Sequence, residues 1–156
     1  MKSVELPTPD KVQAWRALMH VHASVTNAID LTLQANLGIP GTWYEALVEI
    51  AFAGGSMRMQ EFATETTLTK SGATRFVDRL ERAGLVERKS CPTDRRVYQL
   101  TLTAKGKKLQ QAADPHVLRV IEETVGRYIS DDEAGVILNA LRRAHMAPAG
   151  VEPAAI

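Results

Sequence analysis

The sequence predicts a mainly α-helical fold that carries one small β-hairpin. Apolar residues recur at steps of three and four along most of the 156 residues, which is the spacing of one helix face. Two short strand-like runs, at 85–90 and 97–102, are separated by the turn-prone stretch CPTDRR. Positive charge is concentrated around these runs, and this uneven distribution is the first indication of a function.

The first helix is expected at 10–36, where the apolar stripe is about six turns long. A stripe of that length exceeds what a small domain buries in its own core, so we expect part of it to pack against another subunit. The stretch LGIPG ends this helix. A second helix is expected at 42–53, because the pair Gly54 and Gly55 follows it.

Two shorter helices are expected at 59–66 and 70–83, joined by the tight link TLT. Gly84 closes the second of them, since glycine tolerates the left-handed backbone that ends many helices. The hairpin follows at once. Two helices joined by a tight turn and followed by a hairpin are the layout of a winged helix-turn-helix.

The C-terminal third continues the helical pattern. Thr103 is expected to cap a helix that begins at the next residue, and Pro115 is expected to break or kink it. Ser130 and Glu133 have the spacing of a capping box, which predicts a last helix after them. The tail at 147–156 (APAGVEPAAI) is expected to be disordered.

The charge is divided between two parts of the chain. Residues 57–108 carry 12 Lys and Arg against 6 Asp and Glu, a net charge of +6, whereas the remainder is −5. The total of +1 hides this asymmetry. Such a division indicates a basic docking module on an acidic frame, and nucleic acid is the natural partner of the basic module.

The helix at 70–83 has the pattern of a recognition helix. Its apolar side chains share one face, and the opposite face carries hydroxyls and cations. These groups suit a DNA groove, because hydroxyls bond phosphates or base edges and arginine grips guanine through two bonds. An amphipathic surface helix with a solvated charged face is the alternative interpretation. The adjacent cationic hairpin, with Arg88 and Lys89 on its strands, favours DNA.

Several function classes are disfavoured by what the sequence lacks. The single cysteine, Cys91, cannot form an intramolecular disulfide and is too few for a structural zinc site. The N-terminus has no secretory h-region, and no apolar run approaches the length of a membrane span, so a cytoplasmic protein is expected. No nucleophile–base pair, phosphate loop or metal-ligand spacing is present, so neither an enzyme nor a bound metal or cofactor is expected.

The segment RMQEFATETTLTKSGATRFVDRLERAGLVERKSCPTDRRVYQLTLTAKG resembles the MarR family of bacterial regulators, and WYEALVEI and SDDEAGVILNAL extend the likeness over nearly the whole chain. The resemblance implies one winged helix-turn-helix domain over 1–156, with DNA-binding lobe 42–103 and dimerisation helices 10–36 and 104–146. It implies a homodimer that binds double-stranded DNA at a pseudo-palindromic operator and usually represses.

The resemblance also assigns DNA contacts. They fall on the recognition helix and on the wing: Lys70, Ser71, Thr74, Arg75, Arg79, Asp94, Arg95 and Arg96. In the wing, Asp94 is expected to accept a hydrogen bond from Arg96 and to hold its guanidinium in place. A simple turn residue is the alternative interpretation of Asp94.

Members of this family often respond to small phenolic or carboxylate ligands. The residue types that suit such a ligand here are Trp15, Arg16, His22, Trp43 and Tyr44, since arginine clamps a carboxylate and an aromatic ring stacks on another. Interface packing is the alternative interpretation of the same residues. Two further hypotheses stay open: a regulator without a ligand, and a redox-responsive one that uses Cys91 beside Lys89 and the wing arginines.

Overall fold

The computed structural model describes residues 6–66, 68–90 and 98–146. The chain divides into two compact units, one up to residue 120 and one from residue 121 onward, and each is described by itself. The expected fold class is confirmed: the described residues are mainly helical, with one small antiparallel sheet. Six α-helices are described, α1 (Pro9–Leu37), α2 (Gly41–Phe52), α3 (Met59–Glu65), α4 (Lys70–Arg82), α5 (Ala104–Thr124) and α6 (Asp131–Met146).

The sheet of the first unit has three strands, one more than the sequence predicted. They are β1 (Ser56–Arg58), β2 (Val86–Ser90) and β3 (Tyr98–Leu102), in the order β1-β3-β2. β3 is the central strand and pairs with both neighbours antiparallel, with Met57 opposite Leu100 and Arg88 opposite the same Leu100. The sheet therefore fastens the segment before α3 to the strands of the hairpin.

Two clusters of buried side chains hold the first unit together. One joins α2, α3, α4 and the sheet around Phe62, Leu80 and Leu100, all of them fully buried. Phe62 stacks on the ring of Phe76, with 6.3 Å between ring centroids. The other cluster joins α1 to α5 around Leu33. Trp43 of α2 packs against both clusters, so α2 links the helix-turn-helix to α1 and α5.

α5 runs through Pro115 without interruption, so this proline does not end the helix. Proline removes one backbone donor and crowds the preceding turn. The flanking residues Ala113 and Val117 are buried against α1, and their packing holds the helical path across the proline. Tertiary packing thus outweighs the local preference of one residue.

The second unit contains the end of α5, a short 3-10 helix (Gly126–Tyr128) and α6. The predicted capping box is confirmed, because the Glu133 carboxylate accepts hydrogen bonds from the backbone N and the hydroxyl of Ser130, each at 2.8 Å. These bonds lower the pKa of Glu133. Val136, Leu138 and Leu141 of α6 are exposed apolar side chains.

Candidate nucleic-acid interface

α4 begins at the residue that the sequence predicts, and its polar face is exposed as expected. Thr69 caps it, since its hydroxyl oxygen accepts a hydrogen bond from the backbone N of Gly72 at 3.1 Å. Ala73, Phe76, Val77 and Leu80 are buried, which confirms the apolar stripe. The burial of that stripe fixes the rotation of the helix and leaves the opposite face to solvent.

The exposed face of α4 carries the side chains that the sequence assigned to DNA: Lys70, Ser71, Thr74, Arg75 and Arg79 are all exposed. Within the described part of the chain, none of the three cations among them forms a salt bridge. The Arg79 guanidinium lies 5.2 Å from the centre of the Phe76 ring, which favours one orientation of its side chain. The Thr74 hydroxyl donates to the carbonyl of Lys70 at 3.0 Å, so its proton is already engaged.

The Arg88 side chain pairs with carboxylates of α4 and is not free on the surface of the hairpin. Its guanidinium forms salt bridges with Asp78 at 2.7 Å and with Glu81 at 2.8 Å, and it donates to the Thr74 carbonyl at 3.1 Å. The backbone N of Arg88 also donates to the Glu81 carboxylate at 3.2 Å. Arg88 therefore ties β2 to two turns of α4. Lys89 pairs with Glu87 on the same strand.

The end of α4 is fixed to the start of α5. The Thr103 hydroxyl donates to the Gly84 carbonyl at 2.7 Å and accepts from the backbone N of Gly106 at 3.0 Å, which confirms Thr103 as a helix cap. Lys105 donates to the Ala83 carbonyl at 2.6 Å. Gly84 has a φ of 71°, the left-handed backbone expected of it. α4 is thus anchored at its C-terminal end as well as along its buried face.

The predicted wing contacts Asp94, Arg95 and Arg96, and the cysteine Cys91, lie outside the described residues. The described strands lead up to them, since Ser90 pairs with Tyr98 across the gap. Arg58 and Tyr98 were not among the predicted contacts. They line one cleft together with Lys70, the first residue of α4, and no local pattern in the sequence marks them.

The five residues predicted for a ligand lie in different surroundings. Trp15 is 61% exposed and Arg16 is exposed, both on the first half of α1. Trp43 is half-buried between the two clusters. Tyr44 donates its hydroxyl proton to Asp114 at 2.9 Å, and burial together with that bond raises the pKa of Tyr44 far above its usual range. Tyr44 therefore links α2 to α5.

His22 lines a cleft of about 710 Å³ between α1, α2 and the α3–α4 segment. Three carboxylates, those of Glu45, Glu49 and Glu65, line the same cleft, as does Arg79. Partial burial raises the pKa of Glu45, and the nearby His22 ring acts in the opposite direction. The cleft is therefore poorly suited to an anion, because three negative charges face whatever enters it.

Two negative findings concern the described residues. No three His, Cys, Asp or Glu side chains among them come together as a possible metal site. No helix in that part of the chain combines the length and apolarity that crossing a membrane requires.

Comparison with known proteins places this architecture in context. The model of the MarR family matches residues 37–97. The HTH-type transcriptional regulator MhqR of Bacillus subtilis is 31% identical over 98 residues, which cover 63% of this chain and 67% of that protein. The chain spans 64% of the length of another curated relative from the same organism.

Solved structures share the fold. The crystal structure of AbsC, a MarR family transcriptional regulator from Streptomyces coelicolor, matches with a TM-score of 0.78 at 27% identity, over 91% of this chain and 96% of that one. Sco3205, a MarR family regulator from the same organism in complex with DNA, matches with a TM-score of 0.79 at 24% identity, over 93% and 91%. The second match, at this identity, concerns the fold alone.

Proposed function

The chain belongs to the MarR family of DNA-binding transcriptional regulators, which are not enzymes, and on that premise we propose that it acts as a homodimeric repressor on a pseudo-palindromic operator. The observation that carries the proposal is the exposed face of α4. Three cations there, Lys70, Arg75 and Arg79, have no salt-bridge partner among the described residues. A helix that is held in place by its buried face and carries unpaired cations on its exposed face is suited to contact bases and phosphates in a major groove.

Each side chain on that face has a distinct task in the proposal. Arg75 reads a base edge, since a guanidinium can bond guanine O6 and N7 together. Ser71 donates a single hydrogen bond to a base or a phosphate, and Lys70 neutralises a phosphate. Thr74, whose proton is engaged with the Lys70 carbonyl, accepts a hydrogen bond from a base amino group. The wing residues Asp94, Arg95 and Arg96 are assigned to the neighbouring minor groove from the resemblance alone.

The homodimer is supported by apolar side chains that have no cover within their own unit. In the first unit, Val12, Trp15 and Met19 of α1 are exposed. In the second unit, Leu138 and Leu141 of α6 are exposed. Contiguous exposed apolar surface marks an interface with another molecule, and a second copy of the chain would cover both faces. Two recognition helices then need a separation of about 34 Å, one turn of DNA.

A small aromatic or phenolic carboxylate relieves repression in this proposal. Trp15 and Arg16 supply a ring and a cation on the part of α1 that the second copy would cover, so the ligand would bind at the interface. The ligand acts by binding more tightly to a dimer whose recognition helices no longer fit successive grooves. The alternatives are a regulator without a ligand and a redox-responsive regulator that uses Cys91.

DNA binding is tested by fluorescence anisotropy with the DNA upstream of the chain's own gene and with random DNA of the same length. The wild-type chain is expected to prefer the upstream DNA. Arg75→Ala is expected to lose about 1–3 kcal/mol of that preference in each half-site. Arg127→Ala, which removes an exposed cation outside the basic segment 57–108, is the control and should bind as the wild type does. Equal affinity of the wild type for both DNAs would refute a specific regulator.

Dimerisation and ligand binding have separate tests. Sedimentation of the wild type is expected to report a dimer, and Met19→Glu is expected to shift it toward the monomer, because the charge would be buried at the interface.

A thermal-shift panel of aromatic carboxylates is expected to contain a compound that raises the melting temperature of the wild type and not of Arg16→Ala. Identical responses of the two proteins would remove Arg16 from the site.

A further inference from the structure

A second cleft, of about 570 Å³, opens beside the start of α4. The end of β1, α3, α4 and the first residue of β3 contribute to it. Its polar lining consists of Arg58, Gln60, Thr64, Lys70 and Tyr98. The first helix of the helix-turn-helix and the sheet therefore meet the recognition helix at one depression in the surface.

The charge of this cleft favours an anion. Arg58 and Lys70 line it, no carboxylate does, and neither cation forms a salt bridge with a described residue. The cleft beside His22 has the opposite character, with three glutamates in its wall. Two cations without a salt-bridge partner among the described residues leave positive potential beside this depression.

The hydrogen-bond donors at the cleft point to the same kind of occupant. The Thr64 hydroxyl donates to the Gln60 carbonyl at 3.1 Å, so its proton is engaged. The Tyr98 hydroxyl is free to donate, since no hydrogen bond from it occurs to a described residue, and the side chain is 51% exposed. The floor is apolar, with Met59, Ala63 and Leu68. An occupant that carries both an anionic and an apolar part fits this lining.

We propose that the cleft receives the sugar–phosphate backbone of the operator, with Arg58 and Tyr98 holding one phosphate. The inference rests on the proposed function and extends it. Lys70 belongs both to the cleft and to the exposed face of α4, so DNA docked on α4 runs directly across the opening. The Arg58 guanidinium and the Tyr98 hydroxyl bond the phosphate, and the apolar lining contacts deoxyribose. The contact fixes the depth and register of α4 in the groove without reading any base.

A phosphate contact has a signature that a base contact lacks. Its loss weakens binding to operator and random DNA by the same factor, and it lowers the salt dependence of the affinity. Each phosphate neutralised contributes about 0.9 to the slope of log K against log salt. A dimer carries two such clefts, so Arg58→Ala is expected to reduce that slope by about 1.8. The affinity is expected to fall roughly three- to thirtyfold at low salt, given surface ion pairs of modest strength.

The substitutions leave the local fold intact. The hydrogen bond at the start of α3 runs from the backbone N of Arg58 to Glu61, at 3.0 Å, and does not involve the Arg58 side chain. Tyr98→Phe keeps the ring and the backbone pairing with Ser90 while removing the hydroxyl. Far-UV circular dichroism and the melting temperature of each variant are expected to match those of the wild type.

The test is an anisotropy titration of four proteins, the wild type, Arg58→Ala, Tyr98→Phe and Arg127→Ala, against operator and random DNA at several salt concentrations. Support requires equal losses on both DNAs for Arg58→Ala, with the lower slope, and a smaller equal loss for Tyr98→Phe. The control Arg127→Ala, which removes an exposed cation outside the basic segment 57–108, is expected to show no change. An unchanged affinity and slope in Arg58→Ala, with a wild type that prefers the operator, overturns the inference alone. A wild type without that preference overturns the proposed function itself.

A small aromatic anion is the competing occupant of the cleft, and benzoate serves as its probe. Benzoate is titrated into the wild type without DNA, and the resonances of Tyr98 are followed by NMR. On the proposal, benzoate leaves these resonances unchanged, and operator DNA shifts them. A benzoate-dependent shift of Tyr98 that Arg58→Ala abolishes, together with unchanged DNA binding by that variant, would assign the cleft to a small ligand and overturn the proposal.

Discussion

Replacing Gly106 with alanine is expected to destabilise the first unit, although alanine is the better helix former. A Cβ atom on Gly106 would lie 2.0 Å from the carbonyl oxygen of Leu85 and 3.0 Å from its carbonyl carbon. Ordinary contact begins at about 3.4 Å, so the two backbones must separate by the difference, about 1.4 Å. Both partners are backbone, and no flexible side chain can move aside.

The expected loss in the free energy of unfolding follows from the hydrogen bonds and packing contacts that this separation breaks. The Leu85 carbonyl accepts a hydrogen bond from the backbone N of Thr103 at 3.1 Å. It also shares the proton of the Thr103 hydroxyl, at 3.1 Å, with the Gly84 carbonyl, which lies closer at 2.7 Å. An added 1.4 Å or so exceeds hydrogen-bond reach, and each lost bond is worth about 1 kcal/mol, with more for a buried carbonyl left unsatisfied. Displacing the buried Leu85 adds a packing loss. Alanine returns about 1 kcal/mol of helix propensity, so we expect a net loss of about 2–4 kcal/mol.

Urea unfolding at fixed protein concentration measures this loss, and Gly135→Ala is the matched control. Gly135 also lies within a helix, but nothing lies within 4 Å of a Cβ placed there. The control is therefore expected to be neutral or to gain up to about 1 kcal/mol. A Gly106→Ala protein as stable as the wild type, or stabilised like Gly135→Ala, would refute the claim that close approach of α5 to Leu85 requires glycine.

Two further predictions concern charged side chains. Arg88→Ala is expected to lower the free energy of unfolding by about 1–2 kcal/mol, since Asp78 and Glu81 lose their common partner but are partly screened by solvent, while Lys89→Ala changes it by less than about 0.5 kcal/mol. Equal losses in urea unfolding would contradict this. Glu45→Gln is expected to raise stability at neutral pH, because burial raises the pKa of Glu45 and makes its ionisation unfavourable in the folded state. The gain should vanish in unfolding measurements as the pH falls through that pKa and below the ordinary carboxyl range; a gain independent of pH would exclude ionisation as its cause.

Helix positions were predictable from the sequence because their signals are local. The expected 70–83 and the observed Lys70–Arg82 differ by one residue, since the cap at Thr69 and the glycine after the helix act within one turn. β1 was not predictable. Its three residues are too few to show a period of two, and they pair with residues 99–101, more than forty positions later. The continuation of α5 through Pro115 was not predictable either, since it depends on the packing of neighbouring residues against α1.

The exposed face of α4 was predictable for the same reason. Which basic side chains pair within the protein and which remain exposed was not predictable. A period of 3.6 residues places Arg75 opposite the stripe that contains the buried Phe76 and Val77. It places Arg79 at the edge of that stripe, three residues after Phe76. Whether Arg88 faces solvent depends on the angle at which β2 crosses α4, which no local pattern specifies. Charge counting therefore identified the segment that carries the exposed cations of α4, but it overestimated how many of the segment's charges are free of partners on the protein.

Among the described cations of the +6 segment, two groups differ in their physical role. Arg88 and Lys105 have bonds to α4 or to the residue that follows it, so their charges hold the recognition helix in position. Arg58, Lys70 and Arg75 have no salt bridge with a described residue, so their charges are available to DNA. Loss of a cation in the first group is expected to lower stability and to leave the salt slope of DNA binding unchanged, because no counterion release depends on it. Loss of Arg58 or Lys70 is expected to lower the salt slope and to leave stability unchanged. On the proposed function, stability and DNA affinity are therefore separable by substitution.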